Sequence, residues 1–100
     1  MLIVAGTLTV DPMQREAFLA SRKDGMRTTR GEPGCLEYTF SADPLDPGRV
    51  LLIERWASQK ELAAHVAAAR ARPASPDAAM KPKAASIFVY DVTGVRPLGQ

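Results

Sequence analysis

One hundred residues, with 13 Lys+Arg against 11 Asp+Glu and a formal net charge of +2, amount to a single domain. An apolar fraction of 46% and a charged fraction of 24% are globular values and exclude native disorder. No run of Lys and Arg is dense enough for a nucleic-acid footprint, and the longest uncharged apolar run, Met1 to Val10, falls short of the ~20 residues of a membrane span.

No basic segment precedes that run, so it does not read as a signal peptide. A cytoplasmic protein with no nucleic-acid or membrane partner is the expectation. One cysteine, Cys35, excludes an intrachain disulfide framework and a Cys-based zinc site. One histidine, His65, excludes a multi-His metal centre. The chemistry is therefore expected to run without a protein-held transition metal, or with a ligand that the protein merely wraps.

Met1 to Val10 reads as a strand rich in β-branched residues. Asp11-Pro12 starts a helix, with Asp as N-cap and Pro at the first helical position. The helix is expected to run to about Thr29, weakened at Gly25 and stopped by Gly31-Glu32-Pro33-Gly34. Cys35 to Ser41 is a second strand, with Leu36, Tyr38 and Phe40 on one face. Ala42 to Gly48 is a turn with two Asp-Pro steps, and Arg49 to Trp56 is the third strand of a hairpin. Ser58 and Glu61 have capping-box spacing. Leu62, His65, Val66 and Ala69 then follow at i, i+3, i+4 and i+7 of a helix that fades near Pro73. Residues 73–83 hold three prolines and read as a mobile loop. Ala84 to Val95 is the last strand.

The order βαββαβ is the ferredoxin-like arrangement, α+β, with a four-stranded antiparallel sheet and both helices on one face. A sheet with one solvated face alternates apolar and polar residues. The third strand instead carries Val50, Leu52 and Trp56 on one parity and Leu51 and Ile53 on the other. The last strand does the same with Phe88 and Tyr90 against Ile87 and Val89. Something must cover the second face, and a second copy of the same sheet is the economical answer, which predicts a homodimer.

The stretch Glu32-Pro-Gly-Cys-Leu-Glu-Tyr-Thr-Phe40, followed by Arg49-Val-Leu-Leu-Ile-Glu-Arg-Trp-Ala-Ser-Gln-Lys-Glu-Leu-Ala-Ala-His65, resembles the antibiotic biosynthesis monooxygenase family. The combined pattern P-G-C-x-x-Y, E-R-W-x-S and E-L-x-x-H is specific, although each piece alone is weak. The resemblance runs from Met1 to about Val66 and thins between residues 67 and 83. It implies a dimeric α+β barrel with a pocket between each sheet and its helices. Some relatives oxygenate aromatic polyketides or quinols with molecular oxygen and no cofactor, others degrade haem, and many have no established activity. Thr7 occupies the place where haem-degrading relatives carry an asparagine. The histidine that those relatives place beyond the second helix as an iron ligand has no counterpart here. Both departures argue against haem.

Six residues are candidates for a site, each with a structural alternative. His65 is the side chain whose ordinary pKa suits a general base, or it is a core histidine bonded to a carboxylate such as Glu54. Glu54 points to an apolar face and needs a partner, as an acid–base pair with His65 or as a plain salt bridge. Trp56 either stacks on a flat substrate or fills the core under the second helix. Tyr38 either donates to a substrate oxygen or packs with its hydroxyl at the rim, and Tyr90 is a weaker candidate of the same kind. Arg22 either binds an anionic oxygen or snorkels to water. Thr7 completes the substrate-binding set. Cys35 reads as a small buried hydrophobe.

Two functions fit these features. One is a cofactor-independent monooxygenase acting on a small aromatic, with His65 and Glu54 catalytic. The other is a non-catalytic dimeric module that binds a small molecule or serves as a stress accessory.

Overall fold

A computed structural model describes residues 1–72 and 80–99. The strands are β1 (Leu2–Thr9), β2 (Cys35–Ala42), β3 (Arg49–Trp56) and β4 (Ala84–Asp91). They form one antiparallel sheet in the order β2-β3-β1-β4. The helical segments are a short 3₁₀ turn (Pro12–Gln14), α1 (Arg15–Ser21), α2 (Lys23–Arg30) and α3 (Gln59–Ala71). This is the ferredoxin-like α+β fold expected from the element order.

Period-two burial organises the sheet. Leu2, Val4 and Leu8 of β1 and Val50, Leu52 and Trp56 of β3 are buried on the helix side. Two core clusters result. Phe18 of α1 closes over Leu8, Val10, Val50 and Leu52, and Leu62 of α3 closes over Leu2, Val4 and Trp56. Burying side chains of this size contributes about 1.5–3 kcal/mol each.

Three local expectations are corrected. The first helix is not continuous but breaks at Arg22 (φ −92°, ψ −9°), three residues before the weak Gly25. There the guanidinium lies 4.5 Å from the Phe18 ring centroid and donates to the Met80 carbonyl at 2.8 Å, so the chain turns inward for the side chain. A β-bulge between Cys35 and Glu37 leaves Leu36 unpaired. Cys35, Tyr38 and Phe40 therefore share the helix side, while Leu36 is 49% exposed and does not lie with them. The capping box does not close onto the backbone of α3 either. The Ser58 hydroxyl donates to the Glu61 carboxylate instead. That carboxylate stands against Gly34, whose φ of 76° suits glycine and where a Cβ would meet the Glu61 side chain.

The β2–β3 turn is pinned by Arg15, which donates to the carbonyls of Asp43 (2.8 Å) and Asp46 (2.6 Å). Asp43 and Asp46 accept from Leu45 N and Gly48 N, so these acids serve the turn. α3 ends at Arg72, whose extended ψ of 138° is what the following proline requires. Residues 73–79 of the expected mobile loop lie outside the described residues. Residues 80–83 are tied down, with Met80 against the first core cluster and Lys83 N bonded to Thr9 O at 2.7 Å. β4 stops at Asp91, earlier than expected, because its partner β1 ends there: Asp91 pairs Leu2, and Val92 N makes a last bond to Met1 O.

Among the described residues the other face of the sheet carries no helix. Leu51, Ile53, Phe88 and Tyr90 are exposed there, Phe88 by 60% and Tyr90 by 52%.

Gly6 and Gly25 give opposite expectations. A Cβ at Gly6 would run into the β4 backbone at Ser86 and Ile87, whereas a Cβ at helical Gly25 meets nothing. Gly6→Ala should cost about 1–3 kcal/mol, as overpacking does. Gly25→Ala should stabilise by about 0.5–1 kcal/mol. Urea unfolding of both variants checks the pair, and shifts of the same sign would contradict the packing described.

Candidate functional site

Among the described residues α3 lies over β3 and β1 and does not cover the inner face of β4, where Val89, on the helix side of the sheet, is 54% exposed. The space between α3 and β4 is a cleft of about 560 Å³. Its apolar walls come from Val4, Leu62, Val66 and Val89, and its polar lining from Glu54, Gln59, His65 and Arg70. That volume suits a small organic ligand.

Behind the cleft Trp56 has no exposed surface at all. Its indole Nε1 donates to Glu54 Oε1 at 2.9 Å, a bond between residues two apart on the same face of β3. The His65 ring stacks on the indole at 4.8 Å and 30°. Tyr38 meets His65 edge-on at 5.4 Å, Phe40 meets Tyr38 at 5.7 Å, and Phe18 meets Phe40 at 6.3 Å. A continuous aromatic row thus runs under the helices from His65 to Phe18, with Arg22 over its end.

The carboxylate partner of His65 is not Glu54. His65 Nδ1 lies 3.1 and 3.3 Å from the two oxygens of Glu32, and Arg72 holds one of those oxygens at 3.0 Å. Glu54 remains within electrostatic range of the imidazole but is hydrogen-bonded to Trp56. Glu32 was not among the expected site residues. It sits in the turn after α2, and its contact with α3 spans 33 positions that no local pattern links. The available hint was chemical, since a histidine on an apolar stripe needs a polar partner.

Burial pushes the Glu54 carboxyl above its ordinary range, and the Trp56 hydrogen bond and His65 only partly offset it. Burial, and then the nearby Glu54, pushes the Tyr38 phenol to about 12, so it stays a donor at neutral pH. Burial, and then Glu32, raises the Cys35 thiol, which makes it a poor nucleophile.

Of the six expected residues, the structure brings His65, Glu54, Trp56 and Tyr38 together, with only the first two on the cleft. Trp56 is the core residue of the two alternatives. Arg22 is committed to Phe18 and Met80. Thr7 pairs with Leu51 and Ser86 on the opposite face of the sheet, away from the others. Among the described residues no group of His, Cys, Asp and Glu is placed to hold a metal ion, and no helix is long and apolar enough to cross a membrane.

The raised Glu54 value has a stability consequence of defined sign. The folded chain binds that proton more tightly than the unfolded chain, so stability falls as pH rises above the ordinary carboxylate value. Glu54→Gln keeps an acceptor for Trp56 and cannot ionise. Its stability relative to wild type should increase between about pH 4 and about pH 7, read from urea midpoints. A difference that does not change with pH would contradict the burial of this carboxyl.

Comparison with known proteins adds family to geometry. A family model described as Antibiotic biosynthesis monooxygenase matches residues 1–75. The uncharacterized protein sll1783 of Synechocystis is 30% identical over 100 residues, covering 97% of this chain and 67% of its own length. The fold is shared with a candidate antibiotic biosynthesis monooxygenase from Deinococcus radiodurans (TM-score 0.78, 22% identity, 100% of both chains). It is also shared with Rv0793 of Mycobacterium tuberculosis (TM-score 0.72, 21% identity, 96% of this chain and 98% of that one). With its three strand-and-helix motifs inside the matched region and its sheet superimposing on these structures, the chain belongs to the antibiotic biosynthesis monooxygenase family.

Proposed function

We propose that the protein is a cofactor-independent monooxygenase that oxidises a small phenolic, quinol or anthrone-like aromatic in the cleft between α3 and β4. The observation that carries the reading is His65, which lines an apolar cleft with its ring braced from behind by Trp56 and Tyr38. The family supports a monooxygenase in general terms, and a cleft with apolar walls supports a small aromatic as its substrate.

In this reading His65 takes a proton from the substrate and leaves an electron-rich anion. For an anthrone CH₂ group, the anion passes one electron to O₂, and the carbon radical and superoxide recombine to a peroxide. The peroxide picks up a proton, loses water and becomes a ketone. The net change is two hydrogens lost and one oxygen gained by carbon, the other oxygen leaving as water. Glu54, whose carboxyl burial shifts toward the neutral form, is placed to return the proton that water formation needs. Trp56 and Tyr38 brace the ring from behind the cleft, Arg22 is held at Phe18 and Met80, and Thr7 lies on the far face of the sheet.

The protein is also proposed to be a homodimer through that far face. The support is that exposed Leu51 and Ile53 of β3 share one sheet face with Phe88 and Tyr90 of β4, across β1, on a surface that no described element covers, flanked by the Glu37–Arg55 pair at 3.2 Å. The second reading, a binding module without turnover, draws on the exposure of Val89 and Val66, since an open cleft does not exclude water.

Oxygen uptake with hydroxyanthrones and quinols tests the chemistry. His65→Ala should lose about 100-fold or more of the wild-type rate, the usual contribution of a general base. Saturable binding with no uptake above autoxidation would favour the binding module, and equal rates in both proteins would remove His65 from the chemistry. Light scattering at micromolar concentration tests the assembly: wild type should give twice the 10.8 kDa chain mass, and the double variant Ile53→Lys, Phe88→Asp should give the chain mass itself. A wild-type monomer would sink the dimer.

A further inference from the structure

An imidazole can serve as a base toward the cleft only if the nitrogen facing the cleft lacks a proton. The surroundings of His65 decide which nitrogen that is. Glu32 presents both carboxylate oxygens to Nδ1, at 3.1 and 3.3 Å, and is itself paired to Arg72 at 3.0 Å. A carboxylate held by a guanidinium can only accept, so Nδ1 must donate. In the neutral ring the lone pair is then on Nε2. Nε2 has no hydrogen-bond partner among the described residues and is not a buried orphan, since no buried side-chain nitrogen or oxygen there lacks a partner. The ring is also held in plane by the Trp56 stack and the Tyr38 edge.

The backbone that carries Glu32 is equally fixed. Glu32 N bonds Thr29 O at 3.0 Å, Cys35 N bonds Glu32 O at 3.2 Å, and Ala57 N at the end of β3 bonds Gly34 O at 2.9 Å. The carboxylate is therefore delivered to α3 by a braced turn, and Arg72 closes it in from the end of that helix.

We infer that Glu32, clamped by Arg72, is the positioning residue that sets the tautomer of His65 and leaves Nε2 bare toward the cleft as the proton acceptor. The chemistry rests on the monooxygenase reading, whereas the tautomer assignment does not. One proton passes from the substrate to Nε2, the proton on Nδ1 stays, and the imidazolium so formed faces a carboxylate already in place. The arrangement also puts acceptor and counter-ion on opposite sides of α3, because Glu32 borders a separate groove with Ala64 and Ala68.

His65 is the single histidine of the chain, so long-range ¹H–¹⁵N spectra of uniformly labelled protein report its ring without ambiguity. Wild type above the titration of the ring should show a protonated Nδ1 and a bare Nε2. Glu32→Gln, whose amide can donate to Nδ1, should shift the ring toward the Nε2-protonated form and lower oxygen uptake at least about tenfold. Arg72→Gln leaves the carboxylate in place and should keep the wild-type tautomer. A wild-type ring protonated on Nε2 would overturn the inference, as would a Glu32→Gln ring identical to wild type. An inverted tautomer with unchanged uptake would overturn the role of Nε2. If the tautomers behave as stated but no aromatic in the panel is consumed, the monooxygenase reading falls and the role of Glu32 in setting the ring stands.

Discussion

The complete burial of Trp56 is the constraint on which the rest of the site depends. An indole with no exposed surface must place its N–H, and the acceptor is Glu54, two residues back on the same strand face. Burial in that low-dielectric setting raises the carboxyl's affinity for a proton, and the bond to Trp56 only partly offsets the rise. The indole face left over is where His65 stacks. One packing decision thus places the acid, seats the imidazole and forms the back wall of the cleft.

The sheet and helices divide the work around that wall. α3 covers β3 and β1 with Leu62 and His65 and stops short of β4, and the shortfall is the cleft. The other cluster, built on Phe18, is joined to the first by Tyr38 and Phe40. Ring contacts therefore run from Phe18 to His65, with Arg22 at the far end of the row. The bulge at Leu36 is what puts Cys35 on the same face as Tyr38 and Phe40.

Charge is used sparingly and locally. Arg15, Asp43 and Asp46 are spent on backbone groups of one turn. The Arg72–Glu32–His65 pairing instead crosses from the turn after α2 to α3 and the residue that ends it. In the proposed chemistry, a base that borders the cleft and a counter-ion that sits behind it are a division of labour that suits proton removal from a weak acid. Family membership alone is silent on that division, because the fold hosts unlike activities.

Strand and helix identity, the hairpin, the inward parity of Val50, Leu52 and Trp56 and the ferredoxin-like order were all legible from residue pattern. Period two and the helical stripe are local properties that the side chains impose on any chain of this composition. The candidate pocket residues His65, Glu54, Trp56 and Tyr38 were legible as a group for the same reason, each being a polar or aromatic residue on an inward position. Their partners were not. Whether His65 would meet Glu54 or Glu32 depended on how the turn after α2 approaches α3, and whether Trp56 would face ligand or core depended on where α3 lies across the sheet. The break at Arg22 and the bulge at Leu36 belong to the same class, since contacts with Phe18, Met80 and the β3 register decide them. The sequence by itself determined which faces are apolar; only tertiary packing decided which side chains meet across them, because those contacts join residues whose separation along the chain carries no periodic signal.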